Sequence, residues 1–332
     1  MKLKAGYFYI LIAFISVFIL LAAGFIKYLT PVRKTSAALK KPKLTLPKYI
    51  PPIPLKLPAC KDRNLFACTV QYLHYLHYLP VSPAGRNKYK FSFPVPGILH
   101  NVADSYAWNY QNPFILGAVT QYLKASGELR DGEYASPQIN KTLLSQLEKS
   151  AAKGEFDTHP WKWVLVKQAK KDEKVELYEN GRKIFSSPTN TGKFATTPDG
   201  IWYVYLRFHR TTMSGLSPVG ISKKVYKSLK VKHPNMVGRL DGHLIKWVAY
   251  DDSDIKYVDY FNKGIALHYI SRTYYGFPQS AGCIEIPKHN ARFLYKNISY
   301  GTIVMVIGSV GKEGGDSKKI SLQNSFRRSI LR

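Results

Sequence analysis

The chain has 332 residues, 45% hydrophobic and 14% aromatic, and its 49 Lys and Arg against 21 Asp and Glu give a formal net charge of +28. That apolar content excludes an intrinsically disordered chain, and the length exceeds what one core usually fills, so about two domains are expected. The basic residues are scattered and form no recognisable nucleic-acid module, which argues against a nucleic-acid partner; the charge fits either anionic surfaces met outside a membrane, such as lipid head groups and wall polymers, or solubility alone.

The first element is YFYILIAFISVFILLAAGFI, residues 7–26, which carries no charge. About twenty apolar residues cross a hydrocarbon core of roughly 30 Å, whereas the apolar part of a cleaved signal peptide is only about 7–15 residues long. The run therefore predicts a transmembrane helix within an anchor of residues 1–26. Lys2 and Lys4 precede it and Lys27, Arg33 and Lys34 follow, so charge alone does not orient it. Residues 27–60 bring prolines at 31, 42, 47, 51, 52, 54 and 58 among repeated lysines. Such a segment builds no core and favours extended polyproline II, so it reads as a stiff basic spacer.

From 61 to 153 the apolar residues recur at helical spacing, as in FACTVQYLHYLHYL, NPFILGAVTQYLKASG and SPQINKTLLSQLEKSA. They predict a small all-α domain. His74 and His77 stand three apart, a spacing a metal site uses, but no third ligand lies nearby and amphipathic packing is the better account. The pattern changes at Trp161. WKWVLVKQ, KVELYENGRKIFSSP with Asn180-Gly181 at a hairpin turn, IWYVYLRF, IKWVAY, YVDYF, IALHYI and TIVMVIG predict a mainly-β domain over 161–308. One helix, PKHNARFLYKN, is expected inside it, and 309–332 form a basic C-terminal tail.

The chain has three cysteines, Cys60, Cys68 and Cys283, and no CxxC pair. Cys60 and Cys68 fit either a local disulfide or two free thiols. Cys283 stands alone in FPQSAGCIEIP, behind Ser280, Ala281 and Gly282. Small residues let the backbone turn tightly and a carbonyl approach, and the amides of Gly282 and Cys283 are candidate oxyanion donors. A thiol with an ordinary pKa of about 8.5 needs a base or a cationic neighbour to act as a nucleophile. His268, fifteen residues upstream in GIALHYI, is the candidate.

The order His268 then Ser280-Ala281-Gly282-Cys283 resembles the L,D-transpeptidase (YkuD-type) family, whose pattern is a histidine followed by S-x-G-C. ENGRKIFSSPTNTGKFATTPDGIWYVYLRFHRTTMSG, with Thr197-Pro198-Asp199-Gly200, is similar to the same domain's first hairpin and turn. The resemblance implies a β-sandwich-like catalytic domain with Cys283 as nucleophile, His268 as base and Ser280 as the motif serine. It implies an enzyme that cross-links peptidoglycan stem peptides with no metal or organic cofactor, held as a single pass in the cell membrane and facing the wall. Ala281, Tyr269 and Glu285 depart from residues common in the family. Tyr269 and Arg272, both between the histidine and the cysteine, are the candidate substrate contacts. LHYLPVSP with the following helical segment is also similar to a peptidoglycan-binding helical domain. Two other activities remain open from the residues alone: an L,D-carboxypeptidase on the same fold, with water as acceptor, and a non-catalytic wall-binding protein.

Overall fold

The computed structural model describes residues 60, 64–84 and 88–308. The predicted span over 7–26, the spacer up to residue 59 and the tail over 309–332 lie outside the described residues. Among the described residues no helix is long and apolar enough to cross a membrane. The longest have 13 residues, which at 1.5 Å per residue reach about 20 Å, well short of a bilayer core. The expected fold class is corrected accordingly: the described residues form a mainly-β domain carrying helices, none of them long and apolar enough to cross a membrane. The expected single-pass membrane location likewise has no helix among the described residues to support it.

Three of the described helices begin where an asparagine satisfies their free amides. α1 (Leu65–Tyr75) is capped by Asn64, whose side chain accepts from Ala67 N at 3.1 Å. A short hairpin, β1 (Val81–Pro83) and β2 (Tyr89–Phe91), follows, then α2 (Gly97–Ala103). α3 (Pro113–Ala125) has Asn112 as its cap and proline at its first position. α4 (Lys141–Lys153) is capped by Asn140 and stops at Gly154, whose φ of 70° fits the left-handed residue that ends helices. α1 ends at Tyr75, so His77 does not share a helix face with His74; it sits past the end with φ 70° and stacks on Phe156. Cys60 and Cys68 are joined by a disulfide, their Cα atoms 5.5 Å apart, which decides between the two readings of these cysteines.

Two five-stranded sheets follow. The first runs β5 (Arg182–Pro188), β4 (Lys174–Glu179), β3 (Lys162–Lys167), β12 (Ile303–Ile307), β6 (Gly200–Tyr203), with β3 and β12 parallel. β4 and β5 form the hairpin expected at Asn180-Gly181, where both residues have positive φ. The second runs β11 (Ile284–Glu285), β10 (Ile265–Tyr269), β9 (His243–Asn262), β7 (Leu206–Gly220), and β8 (Val237–Leu240) also pairs with β9. α5 (Lys223–Lys232) lies between β7 and β8, and α6 (Lys288–Asn297) follows β11.

Strand alternation explains why the helical part is not set apart. Side chains of a strand point alternately to its two faces. On β3 and β12, Trp163, Leu165, Ile303 and Met305 join the core of the helices, which includes Leu73, Leu76, Ile115 and Leu147. Val164, Val166, Val304 and Val306 face the other way, with Phe261, Leu267, Ile284 and Ile286 of the second sheet and Ala291 and Leu294 of α6. The first sheet is thus covered on both faces, and the described residues fall in one compact unit. Close contact between α3 and the turn before β12 depends on glycine: a Cβ at Gly117 would lie 2.7 Å from Gly301 O, and Gly301 itself has φ 77°.

Candidate active site

β10 and β11 pair in parallel, Leu267 opposite Ile284 and His268 opposite Glu285. Leu267, Ile284 and Ile286 point into the inter-sheet core, so by alternation Ala266, His268, Cys283 and Glu285 share the opposite face. A fifteen-residue separation in sequence is thereby reduced to neighbouring strands. Cys283 and His268 line the same cavity of about 280 Å³, with Ser280, Ala281, Arg272 and Glu285. His268 is buried, and its Nδ1 makes no hydrogen bond. Cys283 is half-buried, and its Sγ faces Gly264 O at 3.9 Å.

The turn before the cysteine is held from within. Ser280 Oγ accepts from Gly282 N at 3.0 Å and donates to Cys283 O at 2.7 Å. Gly282 O accepts from Thr197 Oγ1, which itself accepts from Gly192 N. Gly282 has φ 152°, and a Cβ there would come within 3.3 Å of Thr196 O. The expectation for its amide changes: Gly282 N is engaged by Ser280 and is not free to receive an oxyanion. Ser280 shapes the turn that presents the thiol. Opposite it, Lys193 N donates to Ser280 O, and both Gln279 N and Ser280 N donate to Thr191 O. Thr191 is fixed in turn by buried Glu173, which accepts from its amide and its hydroxyl. Burial pushes the Glu173 carboxyl up, against the hydrogen bonds from Thr191, the larger of the opposing effects.

Arg272 and Glu285 form a bidentate ion pair: Arg272 Nε donates to Glu285 Oε2 at 2.8 Å, and Nη2 to Oε1. Asn190 Nδ2 donates to the same carboxylate at 3.1 Å, while Asn190 Oδ1 accepts from Gly276 N. The loop between His268 and Cys283 is therefore pinned to β11 and to the segment following β5. Arg272 reaches the cavity already paired, and Tyr269 is not in its lining but packs against the inter-sheet core. Lys193, Ile270, Gln279, Met213, Ser217, Tyr250, Asp252 and Ile255 complete the cavity. Nothing in the local sequence marks the last five, because β7 and β9 bring them in by long-range pairing.

Charge in the site favours neutral partners. Burial pushes the Cys283 thiol up to about 11, and Glu285 adds to this, while a backbone hydrogen bond from Ala266 acts the other way. Burial also lowers the His268 imidazole from its usual value, with Glu285 opposing. At neutral pH the pair is thiol and imidazole, the state in which a histidine accepts a proton as a thiol attacks.

A half-buried thiol, a buried neutral imidazole and a serine-braced turn meet in one cavity. Residues 162–306 match the YkuD family of L,D-transpeptidase catalytic domains. The match lies within one stretch of the chain and leaves the helical part outside it. The chain is similar to solved structures of an L,D-transpeptidase from Mycobacterium smegmatis (16% identity, 44% of this chain and 59% of that one, TM-score 0.30) and of the catalytic domain from E. faecium L,D-transpeptidase (20%, 44% and 96%, 0.31). It is also similar to an L,D-transpeptidase from Mycobacterium tuberculosis (15%, 45% and 58%, 0.31). The two mycobacterial chains are thus spanned over less than two thirds of their length. No curated protein sequence matches the chain.

Proposed function

We propose that the protein is a peptidoglycan L,D-transpeptidase that works through a cysteinyl thioester. The observation that carries the reading is that Cys283 and His268 line one cavity within the stretch that matches the transpeptidase family. In the proposed cycle the thiol proton passes to His268 as Sγ attacks the carbonyl carbon of an L,D peptide bond in a donor stem. The C–N bond breaks, and the leaving D-amino acid takes the proton from the imidazolium. An acceptor amine on a second stem then attacks the thioester and loses a proton to His268, and the thiolate is reprotonated. Cys283 N is the oxyanion donor that remains once Gly282 N is engaged by Ser280. Arg272 positions the loop through Glu285, and any contact it makes with a donor carboxylate uses the N–H groups left over.

Incubation with a peptidoglycan donor fragment, followed by intact-mass spectrometry, tests the reading. The expected result is an acyl adduct on the native chain, mapped to Cys283, and none on Cys283→Ala. With an acceptor amine present, the adduct resolves into a cross-linked product. An adduct on the alanine variant places the nucleophile elsewhere, and exclusive release of the hydrolysed donor identifies a carboxypeptidase.

A further inference from the structure

The arm formed by β7, α5, β8 and β9 carries charge and exposure that the catalytic cycle does not use. α5 has ten residues, and none of them is buried. A helix this short is marginal in water unless one face packs or a partner holds it. Five of its residues are lysines, Lys223, Lys224, Lys227, Lys230 and Lys232, and none is acidic. Arg239 and Lys246 continue the positive surface on β8 and β9, and the one acid between 220 and 247 is Asp241. The ion pairs of the two long strands lie elsewhere, at Arg207–Asp259, Arg210–Asp254 and Lys256–Asp254.

The arm is continuous with the cavity. Met213, Ser217, Tyr250 and Asp252, at its base, line the space that holds Cys283. Lys193 also lines that space, and the ring of its neighbour Phe194 lies 5.1 Å from the ring of His243 on β9. Gly220, three residues before α5, meets the same ring, a Cβ there lying 3.4 Å from Phe194 Cζ, so α5 begins beside the segment that brings Lys193 to the cavity.

We propose that α5 and its neighbours on β8 form a docking surface for the acidic, carboxylate-bearing polymer that carries the donor stems. This deepens the reading of the site as a transpeptidase and rests on it for the identity of the polymer. Charge complementarity selects the occupant. Lysines are compact point charges on flexible stems, suited to carboxylates at variable spacing, whereas the fixed fork of arginine suits a single planar anion. A lipid surface fits less well, because Tyr226 and Leu229 are half-buried and the exposed apolar side chains of the helix, Val225 at 43% and Val231 at 85%, are each set among lysines. Interfacial helices need a continuous apolar face, which α5 does not offer.

The test uses the full chain with Cys283→Ala, so that binding is read without turnover, and purified soluble peptidoglycan fragments as the probe. Replacing the five α5 lysines with glutamine is expected to weaken binding about tenfold or more at low salt and to flatten the dependence of log affinity on log salt. Five matched replacements elsewhere, at exposed Lys141, Lys149, Lys153, Lys174 and Lys288, are expected to change binding much less. Amidating the fragments' carboxylates should remove the difference between parent and α5 variant. An unchanged far-UV spectrum, and unchanged acylation of Cys283 by a small donor in the otherwise native α5 variant, show that the fold is intact. Equal binding by parent and α5 variant overturns the proposal. So does α5-dependent binding that survives amidation, or that prefers phosphatidylglycerol vesicles or a phosphodiester polymer. Failure of the acylation experiment on the native chain would remove the catalytic reading while leaving the binding result to stand.

Discussion

The Arg272–Glu285 pair offers a quantitative check on how the site is held. Replacing Arg272 with alanine leaves the Glu285 carboxylate, 3% exposed, with Asn190 Nδ2 at 3.1 Å as its remaining hydrogen bond. Removing one partner of a fully buried pair costs about 3–5 kcal/mol, whereas an exposed pair is worth roughly 0–1. The Arg272 side chain keeps 33% of its surface in solvent, so water enters where the guanidinium was, and an intermediate loss of about 2–3 kcal/mol is expected. Urea unfolding at pH 7 measures it as a shift of midpoint at constant slope. Glu285→Gln removes the stranded charge, so the double variant Arg272→Ala with Glu285→Gln should be less destabilised than the two single losses summed, with coupling of about 1 kcal/mol or more. Acylation of Cys283 should slow in Arg272→Ala and recover in part in the double variant, because the pair positions the loop. A loss below about 0.5 kcal/mol with no coupling would show that the pair behaves as a surface contact and does not pin the loop.

Trp163 is fully buried in the core between the first sheet and the helices, and Trp163→Ala should cost about 3–5 kcal/mol by equilibrium unfolding. The helical part and the sheet should unfold in one transition, since they share that core; two separate transitions would contradict this. Ser280→Ala removes the acceptor for Gly282 N and the donor to Cys283 O. It is expected to destabilise by about 1–3 kcal/mol and to slow acylation of Cys283 without altering its site. A full-rate Ser280→Ala enzyme would show that the turn holds its shape without the hydroxyl.

The meeting of Cys283 and His268 in one cavity was legible because their geometry is encoded locally: a strand ending in HYI, a turn-rich loop, then S-A-G-C opening another strand. The hairpin at Asn180-Gly181 and α6 were legible for the same reason. The cavity's other wall was not. Tyr250, Met213 and Asp252 depend on the pairing of two strands of 15 and 20 residues, and their sequences, rich in Ser, Thr and Asp, break the alternation that marks a half-buried strand. α5 escaped notice because KKVYKSLKVK places lysines on most sides and presents no apolar stripe to the chain. The helical segment read as separate because periodicity reports a helix but not what its apolar face meets. The residues it meets, Trp163 and Leu165, alternate with valines that serve the other core. Arg272 read as a candidate substrate contact because its partner, Glu285, lies thirteen residues away and looked only like a departure from the family pattern.

How Cys283 ionises separates two ways of using His268. A preformed thiolate–imidazolium pair would make the thiol react with iodoacetamide faster near pH 7 than an ordinary exposed thiol, with an apparent pKa below the reference of about 8.5. The site is built for the opposite: burial pushes the thiol up to about 11 and lowers the imidazole from its usual value. The alkylation rate of the resting enzyme, measured with Cys60 and Cys68 still joined, is therefore expected to keep rising well above pH 8.5. His268→Ala should leave that profile nearly unchanged yet abolish turnover, because the imidazole accepts the proton only as the carbonyl is attacked. The acid limb of turnover should fall below pH ~6.5, where His268 becomes protonated. Stability follows the same signs. A thiol held protonated in the fold contributes below its unfolded pKa, and that contribution is lost as the pH rises through the window from about 8.5 toward its raised folded value. An imidazole held neutral contributes above about pH 6.5 and loses its contribution as the pH falls through its lowered folded value. An alkylation profile centred below pH 8.5 that moves upward in His268→Ala would refute the general-base account and install the ion pair in its place.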